Sequence, residues 1–193
     1  MSELPAPPAM RAGQAARHRI IDAAIRSLVR DGSEASMATI AATAEVSKAL
    51  LHYHYADRAS LLAEVVSQLS RRIVARERAA MNAASGSGTV DALWSWLEGE
   101  LARGELRTLL ELGMQRELTV QTAYGEAALA RCHAADQTVE QLFAGLGLVP
   151  RMPARLLGAA SLAFMDGLAI GTGQRDARAS FDVFWLALLS LAE

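Results

Sequence analysis

Hydrophobic residues along this chain recur at every third or fourth position, and no stretch alternates apolar with polar at a period of two. The pattern predicts a protein built only of helices. Ile20, Ala23, Ala24 and Leu28, with Ile21 and Ile25 beside them, mark one side of a helix from Arg17 to Arg30, and Asp31-Gly32 ends it. Ser36 is placed to cap a short second helix that contains Ile40-Ala41 and stops near Ala44. A tight connection at Glu45-Val46 leads to Ser47, the cap of a third helix over Lys48 to His54. Asp57 caps the next, which carries Leu61, Leu62, Val65, Val66 and Leu69 to about Met81.

Ala83-Ala84-Ser85-Gly86-Ser87-Gly88 reads as a linker, because such small residues anchor no core. Beyond it, Trp94, Leu97 and Leu101 form a helical stripe. A helix from Leu106 to about Leu118 and a long one from Val120 to Phe143 follow, closed by Gly145, Gly147 and Pro150. Pro153 suits the first turn of a helix with Leu157, Ser161, Phe164 and Leu168. Gly171, Gly173 and Asp176 break the chain before a last helix bearing Phe181, Phe184, Trp185, Leu188 and Leu191 or Ala192. The expected organisation is a flexible tail at 1–13, a three-helix unit at 14–60 and a helical remainder at 61–193.

Composition supports a packed core: 52% of the 193 residues are hydrophobic and 21% charged. Only 5% are aromatic, so aliphatic side chains and alanine fill most of it. The net charge of −2 excludes a general polyanion binder. Residues 11–60, however, carry seven basic side chains against five acidic ones, the right direction for a module facing phosphates. A single cysteine, Cys132, excludes a disulfide framework and a structural zinc site. No apolar run is long enough to span a bilayer, and the proline-bearing start lacks the apolar region of a signal peptide, so a cytoplasmic protein is expected.

The segment Ser36 to Leu62, SMATIAATAEVSKALLHYHYADRASLL, carries the chemistry. Two short helices joined by a tight turn form a helix-turn-helix, whose second helix enters a DNA major groove. Val46 and Leu51 are its inward anchors, while Lys48, Ala49, His52 and Tyr53 lie on the outward face or its borders. Small Ala49 allows close approach. Lys48 can donate to a guanine or a phosphate, and Tyr53 offers a ring and a hydroxyl. Ser47 and the free N–H groups behind it make an anion site suited to phosphate.

Together with Arg17–Gly32, this stretch resembles the DNA-binding region of the TetR/AcrR family of transcriptional regulators. The resemblance rests on Ile20…Ala23-Ala24, Asp31-Gly32, Ile40-Ala41, Ala44-Glu45-Val46-Ser47, Leu50-Leu51-His52-Tyr53-His54-Tyr55, Arg58 and Leu61-Leu62. It implies that Ser47, Lys48, Ala49, Leu50, His52, Tyr53 and His54 meet bases or phosphates. It puts Arg58 where the family has a phosphate-contacting lysine, and Ser36 and Thr39 at weaker backbone-contact positions. Three residues depart from the pattern: Glu45 stands for the usual glycine of the turn, His52 for tyrosine and Tyr55 for phenylalanine.

The resemblance further implies a homodimeric repressor that binds a palindromic double-stranded DNA operator and is released by a small molecule in the C-terminal helices. Two recognition helices then reach successive major grooves about 34 Å apart. Trp94, Leu97, Leu109, Leu112, Met114, Tyr124, Phe143, Phe164 and Met165 are the expected cavity lining, which suits a hydrophobic or aromatic effector. Leu157, Leu168, Phe181, Phe184, Trp185 and Leu188 are the expected dimer contacts, an alternative to plain core packing. The helix starting at Asp57 would link cavity to DNA. Two other readings stay open: a helical interaction module that does not use the motif, and a small-molecule carrier without regulatory output.

The remaining candidates read as structural. His52 and His54 point about 200° apart on a helix, a poor metal pair. His133 beside Cys132 lacks ligand spacing, and Cys132 itself suits a core position. Trp94 and Trp96, also two apart, are expected to face different environments. Asp166, inside an apolar stretch, needs a partner: an arginine, a backbone donor or a ligand. No catalytic motif, phosphate loop or paired-acid site is present, so neither an enzyme nor a cofactor is expected.

Overall fold

The computed structural model describes residues 8–86, 88–171 and 176–193, with side chains from residue 13 onward. Among the described residues the chain forms nine helices and no strand. They are α1 (Pro8–Asp31), α2 (Met37–Thr43), α3 (Lys48–His54), α4 (Arg58–Ala83), α5 (Gly88–Arg103), α6 (Glu105–Leu112), α7 (Leu118–Leu146), α8 (Ala154–Ile170) and α9 (Ala177–Leu189). An isolated bridge between Pro150 and Ala192 ties the end of the chain to the α7–α8 loop. No helix is long and apolar enough to cross a membrane among the described residues.

Local signals set the first four helices. Ser36 and Ser47 cap α2 and α3 through hydroxyls that accept from the Thr39 and Leu50 amides. Asp57 and Ser60 form a reciprocal capping box at the start of α4, and the bonds from Ser60 hold the Asp57 carboxyl below its usual range. α1 starts at Pro8, well before Arg17, and takes in residues 8–13 expected to be tail; residues 1–7 lie outside the described part. Ile20, Ala23, Ala24, Leu28, Ile40, Leu51, Leu61 and Leu62 form the N-terminal part of a hydrophobic core that continues into the C-terminal helices.

α4 runs from this bundle into the C-terminal helices and packs along α7, which in turn packs on α8. Of the expected linker, Ala83 ends α4 and Gly88 starts α5, two helices packed on one another, and Ser87 lies outside the described residues. α6 ends at Leu112, short of the expected Leu118. There Gly113 lies under the Tyr124 ring, and the Gln121 amide donates to the Gly113 and Gln115 carbonyls. The expected break at Gly173 lies outside the described residues.

Trp94 and Trp96 are both buried, contrary to expectation. α5 is packed against α4, α6, α7 and α8, so opposite sides of it are covered. Trp94 packs on Phe181 with ring centroids 5.1 Å apart. Asp166 finds its partner in the buried Arg131 of α7, through both guanidinium ends.

Candidate nucleic-acid interface

The turn between α2 and α3 is closed by backbone bonds from Glu45 N–H to the Ala42 carbonyl and from Val46 N–H to the Ala41 carbonyl, both 3.1 Å. Glu45 takes φ +55°, the left-handed geometry that a glycine adopts without cost. Fully buried Leu51 and half-buried Val46 then anchor α3. Their burial turns the opposite face outward.

Ser47, Lys48, Ala49, His52 and Tyr53 are exposed on that face, Tyr53 to 83%. An aromatic ring this open has no packing role in the protomer, whereas a base edge or phosphate would cover it. Leu50 is half-buried at the border. His54 turns partly inward: its ring meets Tyr53 edge-on at 5.3 Å, and its Nε2 is enclosed without a hydrogen-bond partner. Ser36 is exposed and Thr39 half-buried, their hydroxyls 2.9 Å apart. The Arg58 guanidinium donates to the Ser33 carbonyl, which ties the start of α4 to the α1–α2 loop.

Residues 20–65 match the family described as bacterial regulatory proteins of the tetR family. The matched segment, which runs from α1 into α4, is similar to that family. Members of that family are transcription regulators, not enzymes. Solved structures share the fold over nearly the whole chain. A transcriptional regulator from Rhodococcus sp. Rha1 is 18% identical with a TM-score of 0.73, covering 91% of this chain and 97% of that one. The multidrug binding protein EbrR, complexed with imidazole, is 26% identical with a TM-score of 0.62 over 89% and 94%. The SmeT–triclosan complex is 16% identical with a TM-score of 0.65 over 90% and 91%. No curated protein matches the chain.

The expected cavity residues do not gather around an opening. Leu97, Leu109, Leu112, Phe143 and Met165 are packed in the core of the C-terminal helices, and Trp94 is buried against Phe181. Tyr124 covers Gly113, and Phe164 stacks on Phe184 at 4.2 Å. Met114 is 69% exposed in the α6–α7 turn, away from any interior. An opening of about 320 Å³ lies instead at the foot of these helices, lined by Glu100, Leu101, Arg107, Leu168 and Ala169 among others.

The expected dimer stripe needs correction. Leu157, Phe181, Trp185 and Leu188 are buried within the protomer, and Leu168 and Phe184 are half-buried. The largest side chains face the protomer's own core because burying them there removes the most apolar surface from water. A second stripe, one position over, faces solvent: Leu156, Ala160, Ala163 and Ile170 on α8, with Val183 and Leu186 on α9. Its spacing is present in the sequence, but its residues are smaller than the aromatics one position over.

Sequence reading also missed an ion cluster within the C-terminal helices. Arg76 of α4 holds Glu100 of α5 through two bonds of 2.6 and 2.7 Å and Glu105 of α6 through one of 2.7 Å. These bonds raise the Arg76 pKa above its ordinary value against the opposing effect of burial. Glu100 is fully buried. Only the fold reveals that these charges meet.

Proposed function

We propose that this protein is a TetR-family repressor that binds palindromic operator DNA as a homodimer, with α3 in the major groove, and leaves it when a small hydrophobic effector enters the C-terminal helices. The outward face of α3 carries the reading: Ser47, Lys48, Ala49, His52 and Tyr53 stand free above buried Leu51. Ser36, Thr39, Leu50, His54 and Arg58 flank it and set its register on the phosphates.

The exposed apolar residues of α8 and α9 support the homodimer, since exposed apolar surface on neighbouring turns of a helix suits an interaction face. Effector control is supported by the relatives that hold triclosan or imidazole. The packed interior around Leu97, Leu109 and Phe143 is the apolar surface an effector would part. α4 belongs to both the 14–60 unit and the 61–193 unit, so parting its neighbours changes the spacing of the recognition helices. Acting on DNA, the protein works in the cytoplasm.

Footprinting the purified chain on DNA upstream of its own and adjacent genes, at stepped salt, tests the reading. A protected palindrome, with log K falling linearly against log salt, is the expected result. Uniform weak binding without a protected site would overturn it.

A further inference from the structure

A groove of about 400 Å³ lies between α4 and α7, away from the recognition helix and the packed interior. Val74, Ala75 and Ala130 give it an apolar lining, and Arg71, Arg78 and His133 stand around it. Arg71 and Arg78 are two helical turns apart on α4, about 10 Å along its axis, and so share a face. Arg71 donates to the Gln68 amide oxygen at 2.7 Å and Arg78 to that of Gln137 at 3.4 Å. Neither guanidinium is paired with a carboxylate among the described residues. Asp22 and Glu64, in the adjoining notch, are already held by Arg72 and Arg17. Glu77, next to Arg78, is buried and takes its bond from Thr138.

Two guanidiniums with only neutral acceptors keep most of their donors available, and the complementary acceptor for that planar fork is a carboxylate or a phosphate. The lining between them is mainly aliphatic, its one hydroxyl, on Ser70, donating to the Ala127 carbonyl at 3.4 Å, and the volume suits a small molecule. We propose that the α4–α7 groove binds a small anionic amphiphile: a carboxylate or phosphate head on a short apolar body. Arg71 or Arg78, at either end of the groove, meets the head, with a ring nitrogen of His133 as a further donor, and Val74, Ala75 and Ala130 meet the body. The occupant would bridge α4 to α7, the helix pair that joins the N-terminal bundle to the C-terminal core. This site is separate from the effector space proposed above, and its occupancy does not depend on DNA binding.

Calorimetric titration of the full chain with octanoate, octyl phosphate and octanol tests the proposal. Saturable binding of octanoate or octyl phosphate is expected, weakening with salt, and whichever binds names the head group. Arg71→Gln with Arg78→Gln should weaken that binding at least tenfold, while an unchanged melting temperature shows the exposed sites left the fold intact. Absence of binding by both anions, equal binding by octanol, or an undiminished variant would overturn it. Failure of the footprint would leave this titration unaffected, so the two readings fail separately.

Discussion

Gly104, in the α5–α6 turn, lies against Val29 near the end of α1: a Cβ on Gly104 would come 3.3 Å from Val29 Cγ1. Gly104 also takes φ +70°, where a side chain is strained. Besides α4, this contact joins the recognition bundle to the C-terminal helices. Gly104→Ala should therefore destabilise the fold by about 1–2 kcal/mol and lower operator affinity. Adding Val29→Ala should return the steric share and leave the backbone share, as denaturant titrations and gel shifts would read. Full recovery would mean that the backbone angle carries no cost.

Tyr53 and Lys48 touch little within the protomer, so truncating them should leave melting and oligomeric state unchanged. Tyr53→Ala is expected to weaken operator binding by about 1–3 kcal/mol, and Lys48→Ala to reduce the salt slope by about one if it meets a phosphate. Fluorescence anisotropy on the footprinted site measures both. Unchanged affinity in both variants would remove α3 from the interface.

The recognition region was legible because its signals are local. Ser36, Ser47 and Asp57 cap helices three residues before the amides they serve, and Leu51 must be buried for Tyr53 to be free. What the sequence hid depends on distant partners. α6 stops at Leu112 because Gln121, on the next helix, takes up the Gly113 and Gln115 carbonyls. Trp94 and Trp96 are both buried because α5 has neighbours on opposite sides. Phe181 and Trp185 belong to the core rather than a partner because large apolar side chains fill the protomer first.

Glu45 at φ +55° stores backbone strain in the turn before the recognition helix. Glu45→Gly should raise stability by about 1 kcal/mol, the left-handed cost less the greater freedom of an unfolded glycine. Urea unfolding checks the sign. A loss of stability would mean that the Glu45 side chain contributes more than its backbone angle costs.

Leu186 and Ile170 are 70% and 50% exposed on the α8–α9 face, whereas Phe181 is fully buried. Leu186→Asp with Ile170→Asp should convert the proposed dimer to a folded monomer that binds the operator weakly, because one half-site contact remains. Light scattering reads the mass and circular dichroism the fold. Phe181→Asp, placed in the core, should unfold the chain instead. A dimer that persists in the double variant would place the interface elsewhere.

Glu77 supplies the pH test. It is 4% exposed on α4, and its carboxylate accepts a 2.8 Å bond from Thr138. Burial pushes its pKa above the ordinary value, more than Thr138, Arg131 and Arg78 pull it down. The folded state thus holds this proton to higher pH than the unfolded chain does. The stability this gives is fully present below the unfolded pKa and is lost as pH climbs through the raised folded value. Glu77→Gln keeps an acceptor for Thr138 without the charge. The variant should melt like the native chain at pH 4 and above it at pH 8, the gap opening between. A gap of opposite sign would mean that Arg131 and Arg78 hold Glu77 ionised in the fold.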